Sequence, residues 1–478
     1  MSKFNKENSM STTNKCGYAA YKMEDKLRLV TMVLTTMFNE QKYYGDNSTE
    51  LVKLAETIAQ IDAHFISNLA VYARREMNLR SVSHVLTSII AKHGRAFTGR
   101  TVSGVVLRAD DITEILACYL NMYGKPIPNA LKKALAHSMG NFDEYQFAKY
   151  SGNNKSIKFK DVLRLTHPVP NTSKQDELFG KIINDALETP YTWEVELSAR
   201  GNTKEVWEEL IDSGKVGYMA LLRNLRNIIN VHPDNIDKVY SILSDPEKVR
   251  RSRQLPFRFY SAYRIVKNMG CSNKVIDVLE DAVSASCDNI EKIHGKTLIA
   301  IDVSGSMSNT ISGNSDVRCC DIASIIAAIA NKICDESIIY TFDTRLFQKT
   351  CSSRSGILQS ADSFITYGGG TDISLPFKQI LNNNINVDRV ILLSDNEINS
   401  GRYGGYKHIC QSIVNQYRER VNPNLWVHAI DMQGYGTQQF IGDKTNIIAG
   451  WNEKVLQFIN MSERGFDTML SAIESYDQ

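Results

Sequence analysis

The 478-residue sequence predicts an α + α/β fold: an array of helical repeats followed by a Rossmann-like domain with a parallel-sheet core. Three observations predict it. Before residue 295, apolar residues recur at helical spacing with almost no strand signal. After it, short runs rich in Ile, Leu and Val alternate with amphipathic stretches of helical period. At the junction stands Lys296-Thr-Leu-Ile-Ala-Ile-Asp-Val-Ser-Gly-Ser-Met307, an apolar run that breaks off at Asp302 and continues with hydroxyls at Ser304 and Ser306.

Composition sets the bounds. The chain is too long for one core, so two or three domains are expected. With 43% hydrophobic and 23% charged residues it reads as an ordinary globular protein. No apolar run reaches membrane-spanning length, and Met-Ser-Lys-Phe-Asn-Lys-Glu lacks the apolar core of a signal peptide; the expectation is a cytoplasmic protein with no membrane partner. Nine cysteines without a CxxC pair fit free thiols, and the adjacent Cys319 and Cys320 are expected to pack rather than react. Net charge is only +2, but its distribution is uneven. Residues 1–295 hold 40 Lys plus Arg against 34 Asp plus Glu, and residues 296–478 hold 15 against 19. The two parts therefore present different surfaces.

Taken in order, residues 1–15 are polar and are expected to form a disordered tail. Residues 16–294 form the helical domain. Leu51, Leu54, Ala55 and Ile58 follow helical spacing, as do Phe65, Ile66, Leu69, Ala70 and Ala73, then Val82, Val85, Leu86, Ile89 and Ile90. Further helices are predicted near 105–122, 127–139, 159–166, 204–212, 216–230, 234–243, 257–268 and 273–285. Consecutive helices with short connectors predict stacked helix pairs. Residues 295–478 form the α/β domain. Strands are predicted at 297–301, 337–342, 389–393, 426–430 and 447–449, and helices on the stripe Ile322, Ile325, Ile326, Ile329 and Ile333 and near 373–381, 406–417 and 466–473.

Asp302 stands where such a sheet binds ligands, beyond the carboxyl end of a strand. One carboxylate and two hydroxyls converging there suit a hard divalent cation, and Gly305 allows the tight turn between them. The competing reading has Asp302 merely capping the helix that follows. In the helical part, Arg74, Arg75, Arg80, Lys92, His93, Arg95 and Arg100 crowd helix ends, where they suit phosphate contacts to nucleic acid or, alternatively, favour helix carboxyl termini through the dipole.

The spacing Asp-x-Ser-x-Ser resembles the metal-ion-dependent adhesion site of von Willebrand factor A domains. That resemblance implies two further ligands, found as Thr371 in Gly368-Gly-Gly-Thr-Asp372 and Asp395 at the end of Val390-Ile-Leu-Leu-Ser-Asp395. The implied ligand set is Asp302, Ser304, Ser306, Thr371 and Asp395, holding magnesium in the first instance, with manganese or calcium as alternatives.

From about Cys16 onward the whole chain resembles the Ro autoantigen family, a TROVE domain joined to such an A domain. The resemblance is carried by Asn14-Lys-Cys-Gly-Tyr18, Leu69-Ala-Val-Tyr-Ala-Arg74 with Arg80, Asp161-Val-Leu-Arg-Leu-Thr-His167, Met219-Ala-Leu-Leu-Arg-Asn-Leu-Arg226 and Leu255-Pro-Phe-Arg258. It implies a ring of HEAT-like helical repeats whose basic outer surface binds small noncoding Y-like RNA and whose hole admits single-stranded 3′ ends of misfolded RNAs. By similarity Lys149 and His167 contact RNA, and Lys155 lies in a loop, Ser151-Gly-Asn-Asn-Lys155, that is less basic than the family pattern. His167 also reads as a helix-end residue satisfied by a backbone carbonyl. Tyr72, Phe147 and Tyr150 stand near the basic residues, either as stacking platforms or as core.

The function implied is an RNA-binding protein of the Ro type in RNA quality control, without catalysis, acting as an adaptor to an exoribonuclease. Its cation would recruit a partner through a protein carboxylate. The alternative is a metal-dependent hydrolase working through Asp302 and Asp395, with Glu397 the one nearby base; a third reading gives the A domain a purely stabilising role. No phosphate-binding loop follows a strand, and no Gly-x-Ser-x-Gly elbow occurs.

Overall fold

A computed structural model of the chain describes residues 11–14, 16–35, 49–151, 156–254, 256–287, 290–310, 316–352, 354–365, 368–399, 408–451, 453–465 and 469–476. It forms two compact units, residues 1–36 with 202–471 and residues 37–201 with 472–478. Of the predicted helices 406–417 and 466–473, residues 406–407 and 466–468 lie outside the described residues, as does Lys155.

The unit of residues 37–201 is built of helices. They run Thr49–Ile61, Ala63–Arg75, Ser81–His93, Thr98–Val105, Ala109–Tyr123, Asn129–Ser138, Glu144–Lys149, Phe159–Thr166, Ser173–Ile183 and Trp193–Arg200. The predicted stripes are its core: Phe65, Ile66, Leu69, Val85, Leu86, Ile89 and Ile90 are buried. Side-chain caps start several helices, with Asp62 accepting from the Phe65 N–H (3.0 Å) and Asp143 from the Gln146 N–H (2.8 Å). The last residues of the chain join this unit: Asn68 donates to the Glu474 carbonyl at 2.9 Å and the Tyr476 hydroxyl lies 3.0 Å from Glu76.

Among the described residues there are nine strands, all in the other unit: β1 (Ser11–Thr13), β2 (Ala19–Lys22), β3 (Ile293–Asp302), β4 (Cys334–Phe342), β5 (Leu346–Lys349), β6 (Arg389–Ser394), β7 (Trp426–Asp431), β8 (Thr437–Gln438) and β9 (Thr445–Ala449). Six form one sheet in the order β5-β4-β3-β6-β7-β9, parallel throughout except for the antiparallel edge β5. Leu298, Ile299, Ala300 and Ile301 are buried in its centre, as expected of a parallel sheet covered on both faces. Helix Cys319–Ile333 covers one face through Ile322, Ile325, Ile326 and Ile329.

Helices Lys204–Asp212, Tyr218–Val231, Ile236–Ser244, Pro246–Ser252, Pro256–Asn268 and Asn273–Ser286 belong to this same unit. Polar contacts tie them to the α/β part. Lys267 pairs with Asp362 (2.5 Å), and Glu280 accepts the backbone N–H groups of Leu358 and Gln359 at 3.1 and 2.9 Å.

The tail expected to be disordered at residues 1–15 needs correction at Ser11–Thr13; residues 1–10 and 15 lie outside the described residues. Ser11–Thr13 is a strand, paired with β2, which in turn pairs with β8 in an antiparallel sheet of order β1-β2-β8. A three-residue strand with no apolar residue carries no periodic signal, and the sheet it belongs to is completed by β8, more than 400 residues away in sequence.

Candidate metal centre and candidate nucleic-acid interface

The buried run of β3 delivers Asp302 to the carboxyl edge of the sheet, and the parallel neighbour β6 delivers Asp395 one residue beyond its own end. Register pairs Ile301 with Leu393, so Ser394 lies level with Asp302 and its hydroxyl donates to Asp302 Oδ2 at 2.6 Å. The Ser304 N–H donates to Asp302 Oδ1 at 2.9 Å, and the Ser304 and Ser306 hydroxyl oxygens are 3.3 Å apart. Asp302 is not the cap of the following long helix: Asp321 does that, accepting the Arg318 N–H at 2.8 Å and pairing with Arg264 at 3.2 Å.

Thr371 reaches the same edge through a glycine run. The Gly305 N–H donates to the Gly369 carbonyl (3.1 Å) and the Gly368 N–H to the Val303 carbonyl (3.2 Å), binding the two loops together. A Cβ at Gly368 would meet the Asp343 carboxylate, and one at Gly370 the Asn399 side chain, so a side chain at either position would displace these groups. Asn399 fastens the third loop: its Oδ1 accepts the Thr371 N–H, and its own N–H donates to the Thr371 carbonyl at 3.0 Å.

Asp302, Ser304, Thr371 and Asp395 are buried, and Ser306 is half-buried. Burial, reinforced by the charge of Asp395, pushes the Asp302 carboxyl well above its ordinary range. Two carboxyl groups in a dry place need a proton or a cation between them, and the surrounding donors are all oxygens, as hard cations prefer. The residues therefore fit a divalent cation by the chemistry of their donor set.

Sequence reasoning passed over Ser394, Asn399 and Asp431. Asp431 ends β7 as Asp302 ends β3, which the strand-end rule could have flagged; burial lifts its carboxyl to about 7. Glu397 is held by Thr437, whose hydroxyl donates to its Oε1 at 2.9 Å.

The basic candidates divide. Arg74 and Arg80 are corrections: both serve the helical core. Arg74, 8% exposed, donates from Nη2 to Asp111 (3.0 Å) and from Nε to the Val105 carbonyl (3.1 Å). Arg80 binds Asp111 at 2.6 Å and Asp110 at 2.7 Å, and His84 meets Asp111 at 3.0 Å. Asp111 also accepts the N–H groups of Leu107 and Arg108, which open helix Ala109–Tyr123. Burial alone would raise the Asp111 carboxyl, but the hydrogen bond from His84 and the charges of Arg80 and Arg74 hold it far below the usual range. Since burial keeps His84 neutral, the two guanidinium groups are what fix Asp111 as an anion.

Arg75 donates to the Gly104 carbonyl at 2.9 Å, and Arg100 to the Tyr476 carbonyl at 2.8 Å while also meeting His64. Lys92, Arg95, Lys149 and His167 are exposed. Lys92 lies 5.6 Å from the Tyr123 ring centre. His167 is a left-handed helix cap at φ 48°, with its backbone N–H donating to Leu163, which leaves the ring outside. Tyr72 and Phe147 are core residues. Tyr150 is not: it is only part-buried, beneath Arg108 at 4.4 Å and Lys149 at 5.7 Å, and Lys149 also reaches Tyr145, which is 45% exposed. Arg108, Tyr145, Lys149 and Tyr150 thus make a cationic aromatic cluster at the surface, and sequence reading had named only two of the four.

The TROVE domain matches residues 23–188 and 184–277, and the Ro60 vWA domain matches residues 296–461. Telomerase protein component 1 of Rattus norvegicus is 25% identical over 330 residues, covering 50% of this chain and 13% of that protein. RNA-binding protein RO60 of Caenorhabditis elegans is 28% identical over 232 residues, 46% of this chain and 35% of that one. RNA-binding protein RO60 of Deinococcus radiodurans is 26% identical over 205 residues, 39% of this chain and 38% of that one. These alignments span well under half of each relative's length. The crystal structure of the Deinococcus radiodurans RO (RSR) protein aligns with a TM-score of 0.62 at 16% identity, covering 92% of this chain and all of that one, a likeness of fold.

Proposed function

Because the chain belongs to the Ro RNA-binding protein family, with a TROVE domain and a Ro60 vWA domain, we propose that it binds small noncoding RNA of the Y-like class and single-stranded 3′ ends of misfolded RNAs. It does so in the cytoplasm, in RNA quality control, as an adaptor that brings RNA to an exoribonuclease. The observation that carries the reading is the surface cluster of Arg108, Tyr145, Lys149 and Tyr150; Lys92, Arg95 and His167 are further exposed basic residues of the same unit. Cations beside part-exposed aromatic rings hold phosphates and stack unpaired bases at once. The name of the rat relative, a telomerase component, also fits a ribonucleoprotein role.

Asp302, Ser304, Ser306, Thr371 and Asp395 would hold a divalent cation, magnesium first, with manganese or calcium as substitutes. When bound, that cation supplies a Lewis-acid position for a carboxylate of a protein partner. The chain's own residues shape this site by keeping two carboxyl groups buried, by fixing Asp302 through Ser304 and Ser394, and by fastening the Thr371 loop through Asn399. Recruitment fits better than hydrolysis, because no His, Lys or Glu stands within the ligand motifs themselves, and Glu397 lies outside them.

The test is an RNA gel-shift titration over a salt series. Wild type should lose affinity steeply as salt rises, and Lys149→Ala should lower the slope of log K against log salt by about 1. Tyr150→Ala should weaken binding to single-stranded RNA by about 1–3 kcal/mol with the slope unchanged. Affinity indifferent to both substitutions would refute the interface.

A further inference from the structure

We propose that Asn14 is a positioning residue for the cation site, and that the strap formed by residues 11–14 and 16–22 sets the site's affinity by holding the loop that carries Asp395. This rests on the reading of Asp302 and Asp395 as cation ligands.

Asn14 has no surface task. It is 5% exposed, and each polar atom of its side chain is committed. Its Oδ1 accepts the N–H groups of Cys16 (3.1 Å) and Tyr18 (2.9 Å), folding the strap into a turn closed by Gly17 at φ 81°. Its Nδ2 donates to the carbonyl of Ile398 at 2.8 Å, across 384 positions of sequence. The strap is anchored on both sides of that contact, before it by Ser11 Oγ at 3.0 Å from His408 Nε2, and after it by β2 pairing with β8 and by Tyr21 stacked on His408 at 3.9 Å.

Ile398 sits in the segment 395–399, which joins two of the proposed ligands. At one end is Asp395, whose Oδ1 accepts the Glu397 N–H at 3.1 Å. At the other is Asn399, which binds Thr371 through both its backbone and its side chain. Between them the segment is clamped from one side by Thr437 on Glu397 and Gln439 on the Asn396 carbonyl, and from the other by Asn14 on Ile398. Asn396 holds a left-handed φ of 59°, a conformation that neighbours must maintain for a residue with a side chain. The strap and the ligand loop thus form one hydrogen-bonded body, and whatever fixes one end fixes the other. Coupling of this kind is reciprocal: a cation at Asp395 should stabilise the strap by the factor that the strap lends to the cation.

The experiment uses the full chain and Mn2+ as the probe, with affinity read by electron paramagnetic resonance or calorimetry. Wild type should bind, and Asp395→Ala should not. Asn14→Ala should bind about tenfold more weakly, within the range typical of coupled sites. Asn14→Asp keeps the turn-forming acceptor but sets a carboxylate against the Ile398 carbonyl, and should weaken binding at least as much. In wild type, Mn2+ should slow amide exchange of residues 16–22, and in Asn14→Asp it should not. A purely structural role for Asn14 would lower thermal stability and leave Mn2+ affinity and the metal effect on exchange intact; that result overturns the proposal while leaving the site standing. If Asn14→Ala does not fold, Asn14→Asp and the wild-type exchange decide. If wild type itself takes up no Mn2+, the cation reading falls and the proposal with it.

Discussion

Arg80 closes a 2.6 Å ion pair on Asp111, a carboxylate that also receives Arg74 and His84 and lies fully out of solvent. Three helices, Ala63–Arg75, Ser81–His93 and Ala109–Tyr123, meet at this one anion. Removing it leaves buried Arg74 without a carboxylate and Arg80 with Asp110 alone. Asp111→Asn should therefore destabilise the helical unit by about 3–5 kcal/mol, seen in urea denaturation. Arg80→Ala should also cost stability, yet leave the salt slope of RNA binding where it was.

The same cluster has a pH signature. Burial lowers the pKa of His84 below its ordinary 6.5, so the folded chain binds fewer protons there than the unfolded chain. Stability should then fall as pH drops below 6.5, by up to about 1.4 kcal/mol per pH unit for this one group. Asp111 has the opposite chemistry but the same direction: its depressed carboxyl contributes in full above its ordinary 3.8 and begins to fail below it. Urea titrations at pH 7 and 5.5 should show the first loss in wild type and a shallower one in His84→Gln.

At the cation site, the Asp302 carboxyl is lifted by burial and by Asp395. Asp395→Asn removes that repulsion and should raise stability without added metal by about 1–2 kcal/mol. Wild type should gain about 2.7 kcal/mol at a Mg2+ concentration one hundred times its Kd, and the variant nothing. Thermal melts with and without Mg2+ check both halves; a wild type whose melting point ignores Mg2+ contradicts the site.

Gly370 offers a steric test. A methyl group there would run into the Asn399 side chain that fastens Thr371. Gly370→Ala should cost about 1–3 kcal/mol, as overpacking does, and weaken Mn2+ binding. Gly99, in helix Thr98–Val105, whose Cβ would meet nothing within 4 Å, is the control: Gly99→Ala should cost no stability and leave Mn2+ binding unchanged.

Much of this chain was legible residue by residue. Helical stripes located Phe159–Thr166 and Lys204–Asp212 to the residue, because each puts several apolar side chains on one face. Helix Trp193–Arg200 escaped notice since it buries none of its residues fully, and β5 since a four-residue edge strand shows no alternation.

The spacing Asp-x-Ser-x-Ser and its resemblance to a known metal-site pattern were enough to propose a cation site at the ends of two strands, since strand ends and ligand spacing are local properties. What became of a charge was not local. Arg74 and Lys149 both end helices, but only tertiary packing decided that one would meet Asp111 in the core while the other stayed in water beside Tyr145 and Tyr150. Asn14 makes the same point at longer range. In sequence it belongs to a polar tail, and only a carbonyl 384 positions away turns it into part of the site, because hydrogen-bond partners are chosen by proximity in space.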